Sequence, residues 1–304
     1  MMMDLIMHFD NGGLSVLTIG IFPNIKKPAV VKVLGWTIQY FKERGVRVLL
    51  SNETAQKMGY LDLACSHETM INQIKIAVTL GGDGTLLNTA REIAAAGIPI
   101  CGVNMGQLGF LTEIELPDLS VALDKLILRE YQIEERLMLD AAVIREGKTI
   151  PVSVALNDVV ITTNGVSRMM KLRLYIDNEL TANYAADGLI VATSTGSTGY
   201  SLSAGGPIIN PTLKVIVLTP ICPHALHTRS LVVSGQEEIK LSMVSNQDNA
   251  VLTIDGQIIY NLLPDDTVLV KPAPFRAQFI KLSGRNYYET LRTKLWKGKA
   301  DANF

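Results

Sequence analysis

The stretch Ile76-Ala77-Val78-Thr79-Leu80-Gly81-Gly82-Asp83-Gly84-Thr85-Leu86-Leu87 decides the fold. An apolar run of strand length feeds directly into three glycines around one aspartate. Leu86, Leu87, Ala90, Ile93 and Ala94 then recur at helical spacing, and Gly97 closes the helix. Buried strand, sharp turn and amphipathic helix are the opening of a βαβ unit. Glycine costs conformational entropy, so a cluster of them means backbone that bends sharply or approaches a ligand. The helix start offers free N–H groups and a positive dipole end, which suits phosphate. Open α/β sheets also bind ligands at the carboxyl ends of their strands. The plainer alternative is a tight turn with Asp83 as a solvated N-cap.

Working outward, the same rhythm extends on both sides. Leu14 to Phe22 reads as a buried strand. Pro28 opens a helix with Val30, Val31, Leu34, Ile38 and Phe41 on one face, and Gly45 ends it. Val46 to Leu50 and Ile98 to Val103 read as further strands, and Asp118 to Leu128 as a last helix. This alternation predicts a mostly parallel sheet with helices on its faces. From about Glu134 the rhythm changes to short runs rich in Val, Ile, Thr and Leu between turn residues. These are Ala141 to Ile144, Val152 to Leu156, Val159 to Thr163, Lys171 to Ile176, Leu189 to Thr193, Lys214 to Leu218, Glu238 to Val244, Ala250 to Ile254, Thr267 to Val270 and Ala277 to Leu282. They predict an all-β, sandwich-like second domain. Tyr287 to Trp296 reads as a helix that packs back on the first domain. The expected division is an α/β domain over residues 1–133, joined by the tail 284–304, and a β-rich domain over 134–283.

The 304 residues suit two domains, and 48% apolar residues supply ample core. The 28 basic and 29 acidic residues nearly cancel, leaving a net charge of −1. A sequence-independent nucleic-acid binder needs a basic surface, so no nucleic-acid partner is expected. The three cysteines Cys65, Cys101 and Cys222 lie far apart, which argues against a disulfide framework or zinc ribbon and for reduced thiols. The first ten residues lack the basic region of a signal peptide. No apolar run approaches the roughly 18 residues that span a bilayer. The expectation is a soluble, cytoplasmic protein with no membrane contact.

The second informative segment runs from Asp187 to Pro207, reading DGLIVATSTGSTGYSLSAGGP. An apolar strand feeds a loop dense in hydroxyls and glycines. Hydroxyls donate and accept, and glycines leave backbone N–H groups reachable, so the loop suits a large polar ligand such as a nucleotide. Its alternative is a flexible linker, which Tyr200, Leu202 and Pro207 do not fit. Asn157-Asp158, between Leu156 and Val159, is costly if buried without partners, or else it ends a strand in a turn. Asn104 to Phe110 follows a strand and is either ligand-facing or a turn. Asp255-Gly256 reads as a hairpin turn whose Asp can point at a ligand. His224, His227 and Cys222 lack a fourth ligand for zinc. No dinucleotide G-x-G-x-x-G, Walker A loop or lipase G-x-S-x-G occurs.

Taken together, these segments resemble the NAD kinase family, which makes NADP from NAD. Gly81-Gly82-Asp83-Gly84-Thr85 looks like its first signature, and Asp187 to Pro207 like its second. Their order, with the Asn104 segment, Asn157-Asp158, Thr219 to His224 and Asp255-Gly256, fits from residue 76 to the end. The resemblance implies that Asp83 holds the adenosine ribose of NAD and acts on its 2′-hydroxyl. It implies NAD contacts for Gly84, Asn157, Asp158, Asp187, Thr198, Gly199, Tyr200, Ser203 and Asp255. Gly81, Gly82 and Thr85 would receive the donor phosphates, with ATP or polyphosphate as donor and Mg²⁺ carried on it. No residue is assigned to a protein metal site. Asp187 completes the site across a subunit contact in many members, which implies a homodimer or homotetramer. Asp158 is one methylene shorter than the family's usual Glu. Gly199 stands where Ala is common, and Ala185 where many members carry a basic residue. The first signature alone is shared with lipid kinases and 6-phosphofructokinases. A lipid or sugar kinase and a non-catalytic NAD(P) sensor are the competing readings.

Overall fold

The computed structural model describes residues 7–10, 13–106, 109–163, 169–225, 227–244, 250–282 and 286–295. The chain divides into two compact units, residues 1–134 with 277–304, and residues 135–276.

The first unit is built on a parallel sheet. Its strand order is the end of Thr267–Lys281, then Ile100–Asn104, Ile76–Gly81, Thr18–Pro23, Arg47–Ser51 and Ala64–Cys65. Phe279 pairs with Ile100, Val78 with Cys101, and Ile19 with both Ile76 and Val48. Ile76–Gly81 is buried along its whole length, as a strand covered on both faces must be. The helix Pro28–Glu43 has proline in its first turn and buries Val30, Leu34, Ile38 and Phe41. Each such side chain contributes about 1.5–3 kcal/mol of burial. Arg44 stacks 3.5 Å from the Tyr40 ring centroid and donates to Asp124 at 2.9 Å. That contact ties the helix end to a second helix, Leu119–Leu128.

Three features differ from the sequence expectation. Leu14 to Phe22 is not one strand. Gly13–Val16 pairs with Met7–Asp10 as a local antiparallel hairpin, and the sheet strand begins at Thr18. Two helices, Asn52–Met58 and His67–Gln73, are too short and polar to show a periodic stripe. Thr267 to Val270 and Ala277 to Leu282 belong to one strand, Thr267–Lys281, which Pro272 and Pro274 disguise.

The second unit is antiparallel. One sheet runs Leu231–Ser234, Val215–Ile221, Gly188–Thr193, Asp158–Thr163, Ala250–Ile254, Ile258–Asn261. The other pairs Glu179–Ala186 with Met170–Ile176, then Ile239–Met243 and residues 267–270. Gln132–Arg145 forms a hairpin with Lys148–Ala155. Alternate residues of both sheets share one core: Val159, Ile161, Leu189, Val191, Leu252 and Ile254 with Leu172, Leu174, Leu241 and Val268. Val160, Ile190, Ala192 and Val217 point the other way and are covered by Ala204 and Ile209. Gly188–Thr193 is therefore apolar without alternation. Asp177 and Asn178, both with positive φ, make the expected turn. Among the described residues no helix is long and apolar enough to cross a membrane.

The tail helix Tyr287–Leu295 belongs to the first unit. Leu291 is buried, and the Lys294 ammonium lies 4.4 Å from the centroid of the Phe110 ring. Trp296, expected in this helix, lies outside the described residues.

Candidate active site

In the first unit, Ile76–Gly81 ends at the glycine cluster and the helix Asp83–Ile93 begins at once. Gly81 packs rather than opens: a Cβ there would stand 2.6 Å from Thr85 Cβ and overlap its hydroxyl. The first helical turn thus closes tightly on the strand end. Gly82 is the open position. Its φ of −127° and ψ of −169° are extended backbone, and a Cβ there meets nothing within 4 Å. Of the three residues expected at phosphate, Gly82 has free space beside it, whereas Gly81 and Thr85 fill each other's.

Asp83 is not the N-cap; Gly82 is, and no side chain caps this helix. The half-buried carboxylate turns away from its own helix instead. Its Oδ2 accepts the Phe110 N–H at 2.8 Å and its Oδ1 the Leu111 N–H at 3.2 Å. Asn104 settles as a turn: its side chain accepts the Gly106 N–H and donates to the Gly106 carbonyl, both at 3.1 Å. Gln107 and Leu108 lie outside the described residues. The anchoring role of residues 109–111 was not legible beforehand; the glycine pair Gly106 and Gly109 was its one sign.

In the second unit, the Asn157-Asp158 pair stands where the chain enters Asp158–Thr163. Asp255, at the hairpin beyond Ala250–Ile254, supports it from below. Its carboxylate accepts the N–H groups of Leu156, Asn157 and Asp158 at 3.1, 2.8 and 3.1 Å. Asp158 is 5% exposed. Burial first, and the Asp255 charge second, push its carboxyl up to about 7. The Asn157 side-chain oxygen is buried and has no hydrogen-bond partner, an acceptor left for a ligand's donor.

The glycine-rich loop wraps this pair. Thr193 turns inward: its N–H donates to Asn157 O at 2.8 Å and its hydroxyl to Leu156 O at 2.6 Å, and the hydroxyl accepts the Gly196 N–H at 3.0 Å. A Cβ on Gly196 would lie 2.8 Å from Asn157 Cα and overlap its carbonyl. A Cβ on Gly199 would sit 3.6 Å from Asn157 Nδ2 and 3.8 Å from Asp158 Oδ2, so both side chains converge there. Four of the loop hydroxyls bond within the second unit. Ser194 bonds Leu213 O, Ser197 bonds Ser194 O, Thr198 bonds Thr195 O, and Ser201 meets Thr219. They build the loop. What remains outward is Tyr200 and Ser203, both exposed on one short helical turn. Arg136, 8% exposed, donates to the Thr195 hydroxyl at 3.3 Å. Sequence reasoning missed it, because a charge beside Glu134 and Glu135 reads as surface.

Asp187 stands apart from this cluster within its own chain. It precedes Gly188–Thr193, whereas Asp158 pairs with Ala192 near the other end. Five strand residues separate them by about 17 Å. Cys222 and His224 are exposed, and among the described residues no three of His, Cys, Asp and Glu gather where a metal can sit.

Comparison with known proteins gives one answer throughout. Residues 19–131 match the ATP-NAD kinase N-terminal domain, and residues 156–282 the ATP-NAD kinase C-terminal domain. The NAD kinase of Moorella thermoacetica is 46% identical over 92% of this chain and 89% of its own. That of Desulforamulus reducens is 42% identical over 93% and 99%. An NAD kinase from Archaeoglobus fulgidus, solved with ATP, superimposes with a TM-score of 0.73 at 26% identity, covering 91% of this chain and 99% of that one. Yeast NADH kinase, solved with NADH, shares the fold with a TM-score of 0.84 at 23% identity, covering 95% and 89%. With both of its halves matched and its relatives aligned almost end to end, the chain belongs to the NAD kinase family.

Proposed function

We propose that this NAD kinase transfers the terminal phosphoryl group of ATP to the 2′-hydroxyl of the adenosine ribose of NAD, with Asp83 acting on that hydroxyl. The observation that carries the role is the Asp83 carboxylate, fixed at a helix start beside the open backbone of Gly82. A ribose hydroxyl is a poor nucleophile. A carboxylate within hydrogen-bond reach orients it and takes its proton, worth about 10²–10⁴-fold. In a loose transition state the proton leaves late, so orientation outweighs base strength. The helix start presents its positive dipole end to the donor phosphates over the open backbone of Gly82. Magnesium on those phosphates supplies charge neutralisation.

Asn157, Asp158, Thr198, Gly199, Tyr200 and Ser203 bind the dinucleotide in this reading. The unpartnered Asn157 oxygen supports it, as does the exposure of Tyr200 and Ser203. Asp255 acts through the backbone of residues 156–158 rather than on NAD itself. Asp187, distant from these in its own chain, serves the site of a second copy, which makes the enzyme a homodimer or homotetramer. Three free, dispersed cysteines suit a reducing compartment, the cytoplasm.

The test is NADP formation by the purified protein with NAD, ATP and Mg²⁺, with polyphosphate as a parallel donor. Turnover that needs Mg²⁺ and falls at least about 10²-fold in Asp83→Asn, with NAD binding kept, is expected. Activity within about tenfold of wild type in Asp83→Asn overturns the role. A monodisperse, active monomer removes the shared-site role of Asp187.

A further inference from the structure

We infer that Gly109, Phe110 and Leu111 form a backbone cradle that orients the Asp83 carboxylate, and that the enzyme's turnover depends on it. The inference rests on the reading of Asp83 given above. Three consecutive residues touch that carboxylate. Phe110 and Leu111 donate their N–H groups, one to each oxygen. Gly109 supplies the space: a Cβ there would lie 2.6 Å from Asp83 Cγ and overlap Oδ1. No side chain except hydrogen fits that position without moving the carboxylate.

The cradle is itself tied to the sheet. The N–H groups of Glu113 and Ile114 donate to Gly102 O at 2.9 and 3.0 Å, and Ile114 O accepts the Asn104 N–H at 2.8 Å. The Glu113 side chain accepts the Leu282 N–H at 3.1 Å and pairs with Lys281. A Cβ on Gly102 would stand 3.2 Å from Thr112 Cα, so the segment lies directly on the strand Ile100–Asn104. The donors are thus held by a rigid element, not by a free loop.

The chemistry follows from the lone pairs. An ionised carboxylate has about four acceptor directions. Two are taken by fixed N–H groups, one on each oxygen, which fixes the carboxylate plane and leaves one acceptor direction on each oxygen. A lone aspartate at a helix start would turn between rotamers or cap its own helix. A carboxylate already oriented meets the ribose hydroxyl without reorganising, and such preorganisation lowers the barrier rather than the binding constant. Gly109, Phe110 and Leu111 are positioning residues; none is asked to touch the substrate.

The direct test removes the N–H groups alone. Replacing Phe110 by phenyllactate, or Leu111 by its hydroxy-acid analogue, turns the amide into an ester and leaves the side chain in place. Gly109→Ala is the companion variant. NAD-binding sites per chain are counted by titration, and kcat and KM are measured on the same samples beside Asp83→Asn. The expected result for each ester is a kcat lowered about tenfold, with KM for NAD within about threefold and one NAD site per chain retained. A kcat within about twofold of wild type overturns the cradle. So does a loss that falls on KM or on the number of binding sites, which marks a structural fault. Undiminished turnover in Asp83→Asn overturns the reading of Asp83 itself, a different result from undiminished turnover in the esters.

Discussion

Asp158 and Asp255 hold each other's backbone: the Asp255 N–H donates to the Asp158 carbonyl at 2.9 Å, and the Asp158 N–H donates back to Asp255 Oδ1 at 3.1 Å. Two acidic residues are thereby fixed side by side in a buried position. The cost falls on Asp158.

Burial, then the Asp255 charge, raise the Asp158 carboxyl to about 7. Between the ordinary carboxylate range and that value, the folded chain keeps a proton that the unfolded chain has released. Stability from this group is therefore full at low pH and is lost as pH rises towards 7. Asp158→Asn should melt higher than wild type at pH 8, by a margin on the order of 3 kcal/mol or less. The margin should close near pH 4 in melts across the range. A margin that widens on acidification would contradict the assignment.

Asp255 satisfies three backbone donors and sits at a φ of 49°. Asp255→Ala strands those donors and puts a Cβ residue without local hydrogen bonding in the left-handed region. A loss of about 3 kcal/mol or more is expected in urea unfolding. Asp255→Asn keeps an acceptor and tolerates the backbone, so about half of that loss should return.

The glycines of the second signature are not equivalent. Gly196→Ala drives a Cβ into the Asn157 backbone, which cannot yield, so both stability and NAD affinity should fall. Gly199→Ala places its Cβ 3.3 Å from Gly196 O, a contact that a shift of a few tenths of an ångström relieves. It should cost under about 1 kcal/mol and keep turnover. Parallel melts and calorimetric NAD titrations separate the two.

Gly82→Ala isolates the phosphate approach. Open space and an extended backbone accept a methyl group, so the melting temperature should not move. KM for ATP should rise by about tenfold, since the methyl stands where a donor phosphate would come. An unchanged KM would place the phosphates elsewhere.

Much of this was readable in advance because periodicity survives in the sequence. Ile76–Gly81 and Pro28–Glu43 carry their own patterns of burial, and Gly45, Gly97 and Asp177-Asn178 mark ends by the φ values they adopt. The short helices Asn52–Met58 and His67–Gln73 were missed for want of an apolar stripe. Their starts were nonetheless written as Ser51 and Ser66, each accepting the N–H three residues on. The sequence offers candidate site residues but not the groups that hold them. The donors to Asp83 are 27 and 28 residues away, and those to Asp255 are 97 to 99 residues away. No local spacing encodes such pairings. The same holds for the loop hydroxyls, whose chemistry suits a ligand equally well as each other.

The first unit takes its residues from both ends of the chain, while residues 135–276 form the second without interruption. That ordering has a consequence during synthesis. Translation proceeds at about 5–20 residues per second, and domains fold as units as they emerge. The second unit is complete before Ala277 is made. The first must wait for Phe279 to reach Ile100 and for Leu282 to reach Glu113. Until then Ile100–Asn104 is an open sheet edge, the kind of surface that chaperones and wrong partners seize. A late frameshift or a clipped carboxyl terminus therefore injures the amino-terminal half of the protein, the half that carries Asp83.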